Sequence, residues 1–446
     1  MTKRQLLLNT ISFTILPVAV FSVTPYPGIF TNAIVLLQNT TFWWMIEALV
    51  LLAFLTMNRF FYDRVNSKNL RVVGWYLIWN IFCFFRGAFI AETYWDWKGL
   101  IGNTMALLIP IVAYLGTNKE ILQSMLSFYV KYTLPLFFVF ILLISTDAYG
   151  FYLVPVSFLM LFFPILTTRW KVVVAAFTML VLLIDFDARS NVIKFGVPIV
   201  LLLVYYFRRF ISIKWLELLR NILIILPIVL FSLAASGIFN VFNMDNYIKG
   251  NYEQVKRDAK GEKVENNLKA DTRTFLYVEV LFTAKKYNCW WIGRSPARGN
   301  ISEAFGEEDE NHRGERLSNE VAILNVFTWS GIIGVLLYLL VFYRASFIAL
   351  NRSNNIFSKM IGMFIAFRWL YGWVEDVNNY SLNFFMLWLM IGLCFSKSFR
   401  AMSNKEVTYW ARGIFNINYK KLSGKKMVES ISEEATISNT YHRSPL

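Results

Sequence analysis

The chain has 446 residues, of which 57% are hydrophobic, 17% aromatic and only 16% charged. This balance is far from that of water-soluble domains and excludes a soluble globular fold. The net charge of +15 bears first on membrane orientation and anionic headgroups, and we expect no binding of nucleic acid.

Apolar stretches of about twenty residues, the length that a helix needs to cross a bilayer, recur along the chain. They centre near Leu16, Leu51, Ile81, Leu108, Phe138, Leu159, Leu180, Leu202, Leu230, Leu337, Ile365 and Leu387. The first is expected to be a retained span, because it is too long for the apolar region of a signal peptide. The sequence therefore predicts an all-α polytopic membrane protein of about twelve transmembrane helices.

Lysine and arginine concentrate in alternate loops between these stretches. The basic loops contain Lys3 and Arg4; Arg59, Arg64, Lys68 and Arg71; Lys119; Arg169 and Lys171; Arg208, Arg209, Lys214 and Arg220; Arg344 and Arg352. The loops between them are short and almost free of basic residues, as at residues 375–379. By the positive-inside rule the basic loops and both termini are predicted to be cytoplasmic.

This alternation divides the chain into four regions. Spans 1–9 occupy residues 1–242, one large outer loop occupies 243–317, spans 10–12 occupy 318–397, and a basic cytoplasmic tail covers 398–446. In the loop, residues 253–270 are rich in Lys and Glu and are expected to be solvated. Asp271 is placed to cap a helix over residues 273–287, whose apolar face suits a position on the membrane surface.

Three arginines lie near the outer ends of spans, where an ionisable group is costly and tends to mark function. Arg86 is in the third span, Arg368 in the eleventh, and Arg189 at the outer mouth between the seventh and eighth. One interpretation is that each pairs with a local acid, such as Glu47 or Asp187, or extends to the headgroups. On that interpretation the arginines are structural.

The alternative is that these arginines converge on a polyanion, joined by Arg273, Arg294 and Arg298 of the outer loop. A guanidinium group is always charged and holds phosphate oxygens through a planar fork of donors. Such a cluster would suit a pyrophosphate at the outer leaflet. The chain has only two histidines, His312 and His442, and no HExxH or GxxxxGK[ST] motif, which argues against metal or P-loop chemistry.

Short motifs follow one another in the second half. Arg189 comes after a mid-chain span, and Arg273 opens the second part of the outer loop. The helix after Arg273 leads to a glycine-containing turn at residues 291–296, and Gly331-x-x-Gly334 follows in the next span. This layout resembles the O-antigen polymerase and O-antigen ligase family over roughly residues 185–340.

One position departs from the family pattern. Counting back from Gly331, the place of the family's histidine is taken by Glu320, and Val321 stands where Asn, Ser or Gln is usual. Since that histidine is thought to be essential in the ligases, the departure favours a polymerase over a ligase. Taken alone, Gly331-x-x-Gly334 is equally typical of helix packing through small residues.

The resemblance implies a glycosyltransferase of the GT-C type in the bacterial inner (cytoplasmic) membrane. A sugar hydroxyl of one lipid-linked repeat unit would attack the anomeric carbon of a glycan on a second lipid, and undecaprenyl pyrophosphate would leave. By family analogy the reaction inverts that carbon, and it needs neither metal nor cofactor. The partners implied are the undecaprenyl-pyrophosphate-linked oligosaccharide and membrane lipid, with a chain-length regulator as a further candidate for the basic tail.

The same resemblance assigns roles to individual residues. Arg189 and Arg273 would stabilise the charge on the leaving pyrophosphate, and Glu320 occupies the position of a general base. Burial would raise the pKa of Glu320 and so favour that role, whereas neighbouring arginines would lower it. The further candidates for binding pyrophosphate or glycan are Arg86, Arg294, Arg298 and Arg368.

Two other functions stay open on sequence grounds. A ligase would use the same chemistry with a different acceptor. A flippase or other transporter for the same lipid-linked oligosaccharide would also have about twelve spans, but such proteins often show two related halves with binding near mid-depth. Here no internal repeat is found, and the charges cluster toward one side.

Overall fold

The computed structural model describes residues 2–26, 39–62, 64–184, 189–243, 253–257, 263–267, 271, 273–302 and 314–419. Within these ranges the chain is almost entirely helical. The helices of the first half are α1 (Lys3–Phe13), α2 (Ile15–Phe21), α3 (Thr40–Phe61), α4 (Ser67–Ile90), α5 (Tyr94–Leu108), α6 (Val112–Gly116), α7 (Lys119–Phe128), α8 (Leu134–Phe140), α9 (Tyr149–Tyr152), α10 (Val154–Met160), α11 (Thr168–Ile184), α12 (Arg189–Tyr206) and α13 (Ile213–Ala235).

The second half contains the strands as well as the remaining helices. In order they are β1 (Glu253–Arg257), β2 (Lys263–Asn267), α14 (Thr274–Lys286), β3 (Asn300–Ile301), β4 (Glu315–Arg316), α15 (Ala322–Asn351), α16 (Ile356–Tyr371), α17 (Leu382–Phe395), α18 (Lys397–Arg400) and α19 (Asn404–Gly413). β1 pairs antiparallel with β2, and β3 with β4. The sequence analysis predicts neither ribbon.

Several helices have the length and apolarity required to cross a membrane. Six helical segments of the described chain meet both criteria: Lys3–Phe21, Thr40–Phe61, Arg64–Ile90, Tyr94–Gly116, Ile213–Ala235 and Ala322–Asn351. Ser190–Tyr206 and Leu382–Phe395 are shorter apolar helices. The prediction of an all-α, multi-pass membrane protein is therefore confirmed at this level.

At one end of the helices, which we call the basic end, hydrogen bonds join loops that are distant in sequence. The bonds run from Asn118 Nδ2 to Phe61 O (3.3 Å), Lys397 N to Asn66 Oδ1 (3.0 Å), Trp410 Nε1 to Lys119 O (3.0 Å), Arg412 Nε to Ile165 O (2.8 Å) and Arg220 Nη1 to Asn351 Oδ1 (3.0 Å). The loops predicted to be basic thus meet on one side of the molecule.

The other end, which we call the capped end, carries the remaining loops. They are joined by bonds from Ser145 N to Tyr26 O (3.1 Å), Asn191 Nδ2 to Asp147 O (2.9 Å), Tyr371 OH to Ser190 O (3.2 Å) and Asn240 Nδ2 to Thr274 Oγ1 (2.7 Å). Residues 273–302 and 314–321, here called the cap, lie at this end, where Asn103 Nδ2 of α5 donates to Pro296 O at 2.9 Å.

The predicted stretch around Leu159 is broken into short pieces. α9, α10 and a 3-10 turn at Phe163–Ile165 follow one another, with Pro155 at the start of α10 and Pro164 inside the turn. Proline lacks the amide donor that a continuous helix needs at each interior position. The segment is nevertheless in the core, because the side chains of α10 are all buried.

The cap is attached to α15 at a kink. Gly331 lies inside that helix with φ 67° and ψ −168°, a backbone conformation that only glycine adopts without strain. The kink and the cap are joined by backbone hydrogen bonds in both directions: Ile332 N of α15 donates to Trp290 O (2.9 Å), and Arg294 N of the cap donates to Thr328 O (2.7 Å). Trp79 Nε1 of α4 satisfies the carbonyl of Ser330 at 3.0 Å.

We expect Gly331→Ala to detach the cap, because the added methyl group would overlap the backbone carbonyl of Trp291 and φ at this position is positive. The substitution should lower stability by about 2 kcal/mol or more, measured as a fall in Tm of the purified protein. Gly196→Ala is the matched control, since a Cβ there meets nothing within 4 Å. Equal melting temperatures for the two variants would contradict this account of the kink.

Candidate functional site

Two buried cations and two half-buried carboxylates lie together at the capped end. Lys194 of α12 and Arg368 of α16 are each 3% exposed, and Glu375 and Asp376 follow α16 in the loop that leads to α17. Lys194 interacts electrostatically with both carboxylates and with Arg368. We call these residues the buried charge cluster.

Arg368 lacks hydrogen-bond partners that its burial would normally require. Its Nε and Nη2 atoms bond to no group in the described part of the chain. The guanidinium carbon lies 5.4 Å from the ring centroid of Tyr371 and 6.0 Å from that of Phe364. Buried donors are almost always satisfied, so an arginine in this state is suited to an anionic ligand.

Arg273 of the cap reaches the same cluster from the other side. Its Nη2 lies 3.8 Å from Glu375 Oε2, its Nε donates to Val374 O at 3.2 Å, and its Nη1 is ion-paired with Glu320. Asp271 caps the following helix, as predicted, by accepting from the amides of Arg273 (3.1 Å) and Thr274 (2.9 Å).

The start of α15 fixes the loop that carries the two carboxylates. The first amides of a helix have no partner within it. Here Ala322 N donates to Glu375 O (3.1 Å) and Ile323 N donates to Gly372 O (3.0 Å). Asn325 Nδ2 also donates to Asn319 O at 2.8 Å. The backbone that presents Glu320 and the backbone that presents Glu375 are therefore held together.

The two loop carboxylates have raised pKa values. Burial raises the pKa of Asp376 to about 7. Burial also raises the pKa of Glu375, although the charges of Lys194 and Arg273 act in the opposite direction. A carboxylate whose pKa lies near neutrality can accept a proton effectively at physiological pH.

An apolar groove opens beside Arg273. It lies between α13, α14 and the end of α16, encloses about 150 Å³, and is lined by residues such as Phe231, Phe242, Leu281 and Trp373. Val374, whose carbonyl oxygen accepts from Arg273, is also part of its wall. The groove therefore joins an apolar surface to the charged groups.

A second arginine site lies elsewhere in the cap. Arg86 of α4, Arg294 and Arg298 line a cleft of about 310 Å³ together with Tyr287. Arg294 Nη1 and Arg298 Nη2 lie 2.9 and 2.6 Å from Glu315 Oε1. Three guanidinium groups are thus opposed by one carboxylate in these contacts, and Nε and Nη2 of Arg86 have no hydrogen-bond partner among the described residues.

The predicted site residues therefore fall into two groups. Arg273, Glu320 and Arg368 meet around Glu375, whereas Arg86, Arg294 and Arg298 share the cleft. Arg189 begins α12 one residue before Ser190, whose carbonyl accepts from Tyr371 OH. The side chain of Arg189, Asp187, and both histidines lie outside what the structure describes.

Glu320, the candidate general base, lies before α15, which begins at Ala322. Glu320 pairs with Arg273, and its side chain is 63% exposed. Glu315 binds Arg294 and Arg298 in the described contacts.

Lys194, Glu375 and Asp376 are not among the site residues predicted from the sequence. Lys194 is a single cation in an apolar helix, and Glu375 and Asp376 read as part of a short polar loop. The one available signal was that Glu375-Asp376 follows the span containing Arg368 by only a few residues. An acidic pair at that place is suited to compensating a charge near the end of the same span.

The chain matches no profile of a known protein family and no curated protein. The fold and the site define a class: a multi-pass α-helical membrane protein with buried charged groups at one end of its helices. The resemblance to polysaccharide polymerases and ligases stays a prediction.

Glu315 is expected to hold the cleft together through its charge. Burial acts to raise the pKa of Glu315, but the hydrogen bonds and charges of Arg298 and Arg294 outweigh burial and keep the pKa below its ordinary value. The ionised group therefore stabilises the fold above pH 4 to 5, and this contribution is lost as pH falls through the lowered value. Glu315→Gln should cost about 3–5 kcal/mol at pH 7.

The measurement is thermal unfolding of parent and variant at pH 7 and at pH 4, where the difference between them should shrink. Glu120→Gln is the control, because Glu120 forms an exposed ion pair with Arg4 at the basic end. Exposed pairs contribute about 0–1 kcal/mol. If Glu315→Gln lowers stability no more than Glu120→Gln does, the role proposed for the charge of Glu315 is wrong.

Proposed function

We propose that this protein is a surface-polysaccharide polymerase of the O-antigen type, which transfers a glycan from undecaprenyl pyrophosphate to a sugar hydroxyl of another lipid-linked repeat unit. The observation that carries the proposal is the buried, unsatisfied guanidinium of Arg368 beside Lys194, Glu375 and Asp376. Cations for a leaving pyrophosphate and a carboxylate for the attacking hydroxyl are thereby close together.

The proposal places the capped end on the periplasmic face and the basic end in the cytoplasm. Its support is the positive-inside rule applied to loops that meet in space. The helices and the broken segment at residues 149–165 alternate between the two ends, which supports about twelve passages of a GT-C-type transferase. The cap then covers the outer face, where the exposed apolar side chains of α14, Phe275, Val278 and Phe282, would enter the membrane surface.

The donor lipid would lie with part of its isoprenoid chain in the apolar groove and its pyrophosphate at Arg273, Arg368 and Lys194. In the transfer step the bond between the anomeric carbon and the pyrophosphate oxygen breaks, and its electron pair leaves with that oxygen. Preorganised cations stabilise the developing charge more strongly than water does, because they need no reorganisation. Arg189, at the start of α12, is a further candidate for this role.

We assign the general base to Asp376 rather than Glu320. The acceptor hydroxyl oxygen forms the new bond to the anomeric carbon, and its proton passes to the carboxylate of Asp376. A base that works at neutral pH needs a pKa near 7, and burial gives Asp376 such a value. Glu320 is mainly exposed and paired with Arg273, which suits positioning of that arginine.

The second arginine cleft supports polymerisation in particular. Polymerisation brings two lipid pyrophosphates to one enzyme, one on the donor and one on the acceptor. The cleft of Arg86, Arg294 and Arg298 offers excess positive charge for the second of them, separate from the cluster around Arg368. A ligase with a phosphate-free acceptor has no need of it.

Arg368→Gln should reduce polymer formation by about 100- to 1000-fold, because it removes a donor aimed at the leaving group. Arg273→Ala and Arg189→Ala should act in the same direction, and Glu320→Gln should retain activity within about tenfold. The assay supplies membranes with the lipid-linked repeat unit and separates single units from long chains. Arg220→Gln is the control, since Arg220 is 4% exposed but bonded to Asn351 at the basic end.

A parent protein that leaves repeat units unextended but moves them across the membrane would replace the polymerase with a transporter. Transfer of finished chains to a different acceptor would replace it with a ligase. Full activity of Arg368→Gln at matched expression would remove the main support for the proposed site.

Asp376→Asn should lower polymer formation and, at pH 8, raise the stability of the fold. Polymer formation by the parent should rise with pH through about 7 as Asp376 ionises, and the Asn variant should lose about 100-fold or more. The native state holds this proton more tightly than the unfolded chain, so parent stability falls between about pH 4 and pH 7. The Asn variant has no carboxylate to ionise at this position, so it does not lose stability in this way.

The Asn variant should therefore melt above the parent at pH 8 and show no such gain at pH 4. Thermal unfolding at both pH values checks this. The control is Glu406→Gln, which alters a carboxylate that caps α19 at the basic end. A variant that is less stable than the parent at pH 8, or fully active, would contradict the assignment of Asp376.

A further inference from the structure

An aromatic cavity of about 490 Å³ lies at the capped end, separate from the apolar groove. Its wall includes Trp43 and Trp44 of α3, Tyr26, Tyr380 and Asn379. Aromatic faces and polar groups therefore line the same open cavity. This combination is suited to a sugar ring, which presents C–H groups on its faces and hydroxyl groups around its edge.

Among the described residues of that wall, Glu47 supplies the carboxyl group. It projects from the second turn of α3 and is only 3% exposed. Its carboxyl group has no hydrogen bond or ion pair with any residue that the structure describes. The hydrogen bond from Tyr380 OH (3.4 Å) goes to the backbone oxygen of Glu47. The expected pairing of Glu47 with a nearby arginine is not found among these residues. A buried carboxylate requires a partner, and a ligand that enters the cavity can provide one.

The cavity adjoins the buried charge cluster through two stacked rings. Phe151 lies in the cavity wall, and the Nζ atom of Lys194 is 4.2 Å from its ring centroid. Tyr26 stacks on Phe151 with 5.0 Å between centroids and lies within electrostatic range of Asp376 and Glu375. A ring held in the cavity is thus next to the groups that would carry out transfer.

We propose that this aromatic cavity is the binding site for a neutral sugar ring of the acceptor, whose hydroxyls donate hydrogen bonds to Glu47 while Trp44 packs against the ring. The claim that the ring belongs to the acceptor rests on the proposed function. The claim that a sugar ring binds here rests on the cavity alone. A carboxyl group offers two oxygen atoms to the sugar hydroxyls, whereas the amide that replaces it in Glu47→Gln offers one. Glu47 therefore determines sugar affinity and takes no part in bond cleavage.

The test measures binding without reaction. The probe is the repeat-unit oligosaccharide, released from its lipid by mild acid and reduced at its free end, so that it can be neither donor nor transfer product. Saturation-transfer difference NMR with the purified full chain in detergent gives the dissociation constant. We expect Glu47→Gln and Trp44→Ala each to weaken binding about tenfold. Trp215→Ala should leave it unchanged, since Trp215 is an exposed tryptophan at the basic end.

Melting temperatures of all variants verify that the fold is retained. Absence of binding to the parent, or equal binding by the parent and Glu47→Gln, overturns the sugar site. If the probe binds as expected but membranes form no polymer, the polymerase fails and the sugar site stands. If polymer forms while both variants bind the probe like the parent, only the sugar site fails.

Discussion

The cost of burying Lys194 and Arg368 is the constraint on which the rest of the capped end depends. An ion that leaves water for an apolar interior loses several kcal/mol of hydration, which its partners have to offset. Glu375 supplies the largest opposite charge acting on Lys194, and the loop that carries Glu375 has to be held close to the two cations. The start of α15 holds it, through the carbonyls of Glu375 and Gly372.

Asp376, in this loop, and Glu320, just before α15, have different environments. Asp376 is half-buried, and burial raises its pKa to about 7. Glu320 is linked to Glu375 through Arg273, and its side chain is 63% exposed. Two acids of similar intrinsic strength are thereby suited to different tasks, one to accepting a proton and the other to orienting an arginine.

Sequence reasoning predicted the features that repeat or extend along the chain. The apolar stretches and the alternate basic loops depend on composition over many residues, and the helix after Asp271 depends on a local cap. Each can therefore be predicted from residues that are neighbours in the sequence. The buried charge cluster has none, because its members are joined only after residues near 194 and 375 fold together. The broken segment at residues 149–165 was missed for a related reason: apolarity predicts burial, whereas its prolines decide the shape. The pairing of Glu315 with Arg294 likewise depends on the short ribbon of β3 and β4.

The apolar groove beside Arg273 has a kinetic consequence. Its wall is formed by the apolar helices α13 and α14 and by the end of α16, so under the proposed function the donor's lipid chain would enter it from the surrounding leaflet and not from water. The concentration that governs its occupancy is then the mole fraction of that lipid among all lipids in the leaflet. Diluting the membrane with inert lipid should slow such a protein at constant total substrate, and adding water should not.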